Sequence, residues 1–253
     1  MVLFDFDGTL SLIRSGWMDV MLPMMVEVLL ELKSGESEQD LTAIVEEWVW
    51  RLTGKQTIHQ MITLADEVTK RGGEAKDPLE YKHRYLELLW RRIEHRVAEL
   101  ESADAAPAKY LVPGSIELLE ALKTRGMKMY LASGTDEGYM RREADLLDVT
   151  KYFDGGVYGA LDNYKDFSKS LLIGRILGSA ECKGEEILGF GDGYVEIENV
   201  KEVGGTAVGV ATDEPECKVM NEWKRQRLTG VGADYIVPNF LDLNELMETL
   251  FPQ

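Results

Sequence analysis

The chain has 253 residues, of which 45% are hydrophobic and 29% are charged, and this is enough to bury the core of a globular protein. Its net charge of −17 argues against a nucleic-acid or anionic membrane surface, because both need clusters of Lys and Arg. Acids interrupt the apolar stretches at 1–10 and 17–32, so neither a signal peptide nor a membrane span is predicted. The two cysteines, Cys182 and Cys217, lack CxxC spacing and predict reduced thiols in a cytoplasmic protein.

The first predicted element is a short buried strand at 2–6, and a block of helices follows it. Residues 13–108 contain no convincing strand pattern. Within this block, apolar side chains recur at helical spacing from Tyr81 to Leu100, which predicts a helix at 78–101. The other helices of the block are predicted near 16–33, 37–52 and 55–71, the first with a break near Pro23.

From residue 110 onward, predicted helices and strands alternate. The strands are predicted at 127–133, 156–159, 187–190, 206–211 and 234–237. The helices are predicted at 113–126, 136–148, 167–178, 195–202, 216–228 and 240–250. This alternation is typical of βαβ units and predicts an α/β fold with a parallel sheet. The helical block is then an insertion between the first strand and the rest of the sheet.

Two carboxylates stand at the end of the first predicted strand. Asp5 and Asp7 are two residues apart, with Gly8 and Thr9 directly behind them. Residues i and i+2 of an extended segment share a face, so both carboxylates are expected in one pocket. A divalent cation relieves their repulsion, and hard oxygen ligands suit Mg²⁺. Gly8 permits a tight turn toward a ligand, and Thr9 offers a hydroxyl and an amide donor.

Polar groups also follow two other predicted strands. Ser133 ends the strand at 127–133 and Gly134 follows it, and Asp192 and Glu196 follow the strand at 187–190. Lys169 begins the helix that precedes the latter strand. Open α/β sheets bind ligands at the carboxyl ends of their strands, so these groups are expected to meet Asp5 and Asp7 at one sheet edge.

Four segments in this order resemble the haloacid dehalogenase superfamily, in its phosphatase and β-phosphoglucomutase-like branch. They are "DFDGTL", "LASGT", a lysine at the start of a helix, and "FGDGYVEIE". The resemblance implies a Rossmann-like parallel sheet core, formed by residues 1–12 and 109–253. It also implies that residues 13–108 form an inserted, all-helical cap domain of the C1 type.

The same resemblance implies roles for individual residues. Asp5 resembles the nucleophile and Asp7 the general acid/base, and both resemble metal-binding positions. Ser133, Gly134 and Thr9 resemble phosphate-binding positions. Asp192 resembles the aspartate that binds Mg²⁺, and Glu196 stands where a second acid supports the metal.

One lysine of the pattern has two candidates. Lys169 is preferred as the charge-neutralising lysine, because its interval of 23 residues to Asp192 resembles the usual spacing. Lys165 is the alternative, but it stands before the predicted helix. Asp7 itself favours phosphoester chemistry over dehalogenation, because an alkoxide leaving group needs a proton and the attacking water must lose one.

A glycine interrupts the helical pattern of the insertion at Gly54, within "RLTGKQTIHQM". A glycine-containing loop between cap helices resembles the specificity loop of the superfamily. Lys55, Gln56 and His59 are therefore predicted to contact the leaving group of the substrate.

The sequence thus predicts a Mg²⁺-dependent phosphatase that acts on a small phosphorylated metabolite, such as a sugar phosphate or a phosphoglycolate-like ester, through an aspartyl-phosphate. A β-phosphoglucomutase-like phosphomutase is the alternative enzyme. A catalytically silent regulatory protein on the same fold is the alternative outside enzymes. The sequence gives no basis for an oligomeric state.

Overall fold

The protein contains a sheet of six parallel strands. The structure is a computed structural model that describes residues 1–161, 168–178 and 182–252. The strands are β1 Val2–Phe4, β2 Met129–Asp136, β3 Gly156–Ala160, β4 Leu188–Gly191, β5 Thr206–Val210 and β6 Tyr235–Val237, and their order in the sheet is β3-β2-β1-β4-β5-β6. The predicted α/β fold class is confirmed.

The strand β1 lies at the centre of the sheet and is fully covered on both sides. Val2 is aligned with Met129 of β2 and with Leu188 of β4. The ring of Phe4 stacks on that of Phe190, with 4.7 Å between the centroids. The carboxyl ends of β1, β2 and β4 therefore lie side by side, which is the sheet edge where the sequence places its polar groups.

Five helices lie between β1 and β2, and five follow β2 in the described parts of the chain. They are α1 Met18–Leu30, α2 Glu38–Arg51, α3 Thr57–Lys70, α4 Pro78–Glu101, α5 Ser115–Thr124, α6 Glu137–Leu146, α7 Lys169–Gly178, α8 Tyr194–Glu202, α9 Glu222–Val231 and α10 Leu243–Leu250. None of these helices is long and apolar enough to cross a lipid bilayer.

Two helix predictions are wrong in detail. α1 passes through Pro23 without a break. Proline removes one backbone hydrogen bond, but the helix buries Met21, Met25 and Leu29, and tertiary packing outweighs local propensity. The helix α9 begins at Glu222 rather than at 216, because the Asn221 side chain caps it by accepting a hydrogen bond from the Lys224 amide at 3.0 Å.

The inserted helices α1–α4 pack on one another and touch the sheet domain at defined points. Arg96 of α4 donates hydrogen bonds to the carbonyls of Leu12, Ile13 and Ser15, so it fixes the segment that leaves the sheet. Lys82 of α4 pairs with Asp136 at the end of β2, with 2.5 Å between Nζ and Oδ1. The division into 1–12 with 109–253 and 13–108 remains a prediction that agrees with this element order.

Candidate active site

A cavity of about 90 Å³ lies between the carboxyl edge of the sheet and the inserted helices. The part of its lining that lies outside α1–α4, their caps and their connecting loops consists of Asp5, Asp7, Arg14, Ser133, Gly134, Thr135, Asp136 and Asp192. The inserted side consists of Trp17, Met21, Thr53, Gly54, Lys55, Thr57, Gln60, Tyr85 and Leu86. The carboxyl ends of three strands thus contribute polar groups to the same cavity.

Asp5 is buried directly after β1 and forms an ion pair with Lys169. The Lys169 Nζ lies 2.6 Å from Asp5 Oδ1, and the Thr9 hydroxyl donates to Asp5 Oδ2 at 3.4 Å. Burial raises the pKa of Asp5, and the nearby Lys169 ammonium opposes that rise. The lysine therefore favours the ionised carboxylate.

The carboxylate of Asp7 faces the end of β2. Its Oδ2 accepts hydrogen bonds from the hydroxyls of Thr135 at 2.8 Å and Ser133 at 3.2 Å. Its Oδ1 is buried and has no hydrogen-bond partner among the described residues, although Arg14 Nε lies 3.9 Å away. Burial raises the pKa of Asp7 to about 6, and Arg14 acts in the opposite direction.

Asp192 follows β4 and is held by a lysine from α9. The Lys224 Nζ donates to Asp192 Oδ2 at 2.9 Å and to Glu214 Oε1 at 2.7 Å. Burial raises the pKa of Asp192 to about 6, and the negative charge of Asp5 adds to that rise. Gly8 has φ +77°, and a Cβ placed on it would lie 2.2 Å from Asp192 Oδ2, so only glycine fits this turn.

Glu196 is buried beneath the cavity rather than lining it. Its Oε1 pairs with Lys169, and its Oε2 has no hydrogen-bond partner among the described residues. A Cβ on Gly54 would lie 2.3 Å from Glu196 Oε2, so the loop of the insertion rests directly on this acid. Lys169 therefore connects the candidate nucleophile with the acid under the loop.

The loop between α2 and α3 reaches the sheet edge through its backbone. A Cβ on Gly134 would lie 2.6 Å from the Lys55 carbonyl oxygen, so the two segments are in close contact. Lys55 lines the cavity, whereas Gln56 and His59 are not among its lining residues. Thr57 and Gln60 line it instead, because α3 begins at Thr57 and residues three apart share a helix face.

Sequence reasoning missed Arg14, Thr135 and Lys224. Thr135 belongs to the "ASGT" strand end, so the sequence indicates its position at the sheet edge but not its hydrogen bond to Asp7. Arg14 and Lys224 carry no local signal, because their acidic partners are distant in sequence. Lys165, the alternative to Lys169, lies outside the described residues.

A family model for haloacid dehalogenase-like hydrolases matches residues 1–204. The chain belongs to this family. Its fold is also that of several solved haloacid dehalogenase-like structures. A predicted phosphoglycolate phosphatase from Haemophilus somnus 129PT is 16% identical, with 98% of this chain and 97% of that chain covered and a TM-score of 0.60.

Two further structures show the same fold at similar distance. A phosphonoacetaldehyde hydrolase-like protein from Oleispira antarctica is 17% identical, over 98% of this chain and 91% of that one, with a TM-score of 0.62. A β-phosphoglucomutase from Clostridium difficile is 12% identical, over 98% and 95%, with a TM-score of 0.61. A search of curated protein sequences gave no significant match.

The donor set of this haloacid dehalogenase-like hydrolase fits Mg²⁺ in part of the predicted arrangement. Asp5 and Asp192 both line the cavity, and the charge of Asp5 raises the pKa of Asp192, so a cation between them relieves repulsion. Mg²⁺ is commonly held by one or two carboxylates, water and substrate phosphate. The carboxylates of Asp7 and Glu196 are directed to other partners. Across the described residues, no group of three or more acidic, His or Cys side chains forms a preassembled metal cluster.

Proposed function

We propose that the protein is a Mg²⁺-dependent phosphatase that hydrolyses a small phosphorylated metabolite through an aspartyl-phosphate on Asp5. The observation that carries this proposal is that two cavity-lining carboxylates, Asp5 and Asp7, have different hydrogen-bond partners. Asp5 accepts a hydrogen bond from a buried ammonium, whereas one oxygen of Asp7 has no hydrogen-bond partner among the described residues. These surroundings suit a nucleophile and a proton carrier, respectively.

In the first step, an Asp5 oxygen attacks phosphorus and the bond from phosphorus to the leaving oxygen breaks. Asp5 must be ionised for this attack, and Lys169 at 2.6 Å favours the ionised form against the effect of burial. The product of this step is a mixed anhydride between Asp5 and the phosphoryl group.

Asp7 transfers the proton in both steps. It donates a proton to the leaving oxygen and later removes one from the water that attacks the aspartyl-phosphate. A pKa of about 6 lets the same carboxyl act as acid and as base near neutral pH. The hydroxyls of Thr135 and Ser133 hold Oδ2 in place and leave Oδ1 for proton transfer.

Positive charge and donors stabilise the phosphoryl oxygens in the transition state. Lys169 and the strand-end segment at Ser133 and Gly134 supply them from this chain. Asp5 and Asp192 would hold Mg²⁺, which supplies charge neutralisation of the phosphoryl group when bound.

Phosphate release from a panel of phosphorylated metabolites, including sugar phosphates and phosphoglycolate-like esters, tests the proposal. We expect release in the presence of Mg²⁺, and its loss in Asp5→Asn. Asp19→Asn on the exposed face of α1 is the matched control for an Asp-to-Asn change. A positional isomer of the substrate, instead of inorganic phosphate, would indicate the phosphomutase.

Covalent catalysis has its own measurement. Intact mass after rapid quenching should show one added phosphoryl group on the wild type and on Asp7→Asn, which is slowed in dephosphorylation, but not on Asp5→Asn. If Asp5→Asn keeps more than about a tenth of the wild-type rate, Asp5 is not the nucleophile.

A further inference from the structure

Arg14 carries a donor that nothing in the proposed phosphoryl chemistry uses. It lies in the segment between β1 and α1, and it is 7% exposed. Its Nε and Nη2 donate to the two carboxylate oxygens of Glu143 at 3.0 Å and 2.7 Å. Glu143 is only 2% exposed, so this side-on pair fixes the plane of the guanidinium.

The third nitrogen of this guanidinium remains available. Arg14 Nη1 makes no hydrogen bond with the described residues, and it is not among the polar atoms that protein fully encloses. Arg14 lines the cavity, so its two Nη1 donors are open to a ligand there. A buried guanidinium with a fixed plane is suited to a planar anion such as a carboxylate.

The position of Arg14 identifies the part of the ligand that it meets. Its Nε is 3.9 Å from Asp7 Oδ1, the oxygen that no described residue hydrogen-bonds. In the proposed mechanism, Asp7 protonates the leaving oxygen. A group bound by Arg14 therefore belongs to the leaving group, within a few bonds of the ester oxygen.

The cavity lining offers a second donor besides Arg14. Gln60 is 4% exposed and lines the cavity, and its amide makes no hydrogen bond with the described residues. Glu143 is paired with Arg14, and Asp136 of the cavity lining is paired with Lys82. Asp7, whose Oδ1 lies 3.9 Å from Arg14 Nε, is the other acid close to this guanidinium. An anionic leaving group thus finds donors here, and the proton that Asp7 carries as the acid of the proposed first step reduces the repulsion by that carboxyl.

We propose that Arg14 binds a carboxylate of the leaving group, with Gln60 as a second donor, so that the preferred substrates are phosphate monoesters of small hydroxy acids. This inference rests on the proposed phosphatase function. It assigns specificity to a residue before the first cap helix, in addition to the loop at Gly54.

The test removes the buried pair as a whole, because Arg14→Met alone would leave Glu143 buried without a partner. Replacement of a buried ion pair by apolar residues of similar volume is often tolerated, so the variant is Arg14→Met with Glu143→Leu. Arg71→Met is the matched control. Arg71 binds Glu36 through Nε and Nη2 in the same side-on geometry, but it lies at the end of α3 and does not line the cavity.

Loss of Arg14 also changes the surroundings of Asp7, and this lowers or raises the rate for every substrate. The readout is therefore the ratio of kcat/KM values for two esters, in which such a general effect cancels. The two esters are 2-phosphoglycolate and its uncharged carboxamide. We expect the wild type and Arg71→Met to prefer the carboxylate by about 10- to 100-fold, the factor of one charge-assisted hydrogen bond, and the double variant to lose this preference. A wild-type ratio near one, an unchanged ratio in the double variant, or a higher kcat/KM for glucose 6-phosphate overturns the inference.

Calorimetry separates this inference from the proposed function. Asp5→Asn is titrated with the same two compounds, with and without the Arg14 and Glu143 changes, and no turnover is needed. Tighter binding of 2-phosphoglycolate that disappears in the combined variant supports the Arg14 site even if no ester is hydrolysed. Equal binding of the two compounds overturns it even if the protein proves to be a phosphatase.

Discussion

Replacement of Lys169 by methionine removes the ammonium that lies between two buried carboxylates. Its Nζ is 2.6 Å from Asp5 Oδ1 and also pairs with Glu196, and all three side chains are at most 7% exposed. Loss of one partner from a buried ion pair costs about 3–5 kcal/mol, because the remaining charges are left uncompensated. The same change removes a cation from the phosphoryl site, which should lower kcat by on the order of 10²-fold or more.

A second substitution separates the loss of stability from the loss of catalysis. Lys169→Met combined with Glu196→Gln removes the lysine and one of its two acids, so the local charge returns to that of the wild type. We expect urea unfolding to recover much of the lost stability, while the rate stays low. Lys169 also lowers the pKa of Asp5, so its removal should move the acidic limb of the rate profile to higher pH.

Single-turnover phosphate release from p-nitrophenyl phosphate, followed across pH, is the assay, and urea unfolding of each variant is its control. A Lys169→Met rate within tenfold of the wild type would refute the role given to this lysine. Lys165→Ala is the comparison variant, and we expect a milder effect. The reverse ranking would move the assignment to Lys165.

Three further results are expected. Asp7→Asn should raise the free energy of unfolding by up to about 3 kcal/mol above pH 6 and by little near pH 4, because a pKa raised from 3.8 to about 6 makes the ionised carboxylate unfavourable only at the higher pH. Urea unfolding at pH 4 and pH 8 measures this difference, and a variant that is less stable than the wild type at pH 8 contradicts it. Excess EDTA should abolish phosphate release, and Ca²⁺ should restore it poorly compared with Mg²⁺, whereas undiminished activity would exclude a metal requirement. Trp223→Ala should raise KM with a smaller effect on kcat, because the Trp223 ring packs on that of Trp50, with 3.6 Å between the centroids, and so joins α9 to the inserted helix α2. An unchanged KM would show that this contact does not hold the insertion closed.

The elements that position the site could be predicted because their signals are local. Asp5, Ser133 and Asp192 each follow an apolar run, and parallel strands bring their carboxyl ends to one edge. The helix at 78–101 has its predicted bounds, since Asp77 caps it, Pro78 begins it and its apolar residues recur at helical spacing. These features need no knowledge of tertiary contacts.

The residues of the loop between α2 and α3 could be predicted only in part. The sequence indicates that the chain turns at Gly54, and the glycine does adopt φ +94° above Glu196. The sequence does not indicate which side chains of the following turn face the cavity. That depends on where α3 begins, and a start at Thr57 brings Thr57 and Gln60, rather than Gln56 and His59, to the lining.

The charge balance of the site could be predicted only in part. Lys169 is expected from the sequence, whereas Arg14 and Lys224 are not, because no local pattern assigns them their acidic partners. Three cations each bridge one cavity-lining aspartate and one supporting acid: Lys169 joins Asp5 to Glu196, Lys224 joins Asp192 to Glu214, and Arg14 joins Asp7 to Glu143. Partners up to 164 residues apart are brought together by the topology alone. These three cations are outnumbered by the six carboxylates that they bridge. Burial is the main cause of the raised pKa values of Asp7 and Asp192, and the nearby carboxylates of Glu143 and of Asp5, respectively, add to it. An anionic phosphate can enter such a site only with a further cation, and this is the physical reason to expect Mg²⁺ to bind before or together with the substrate.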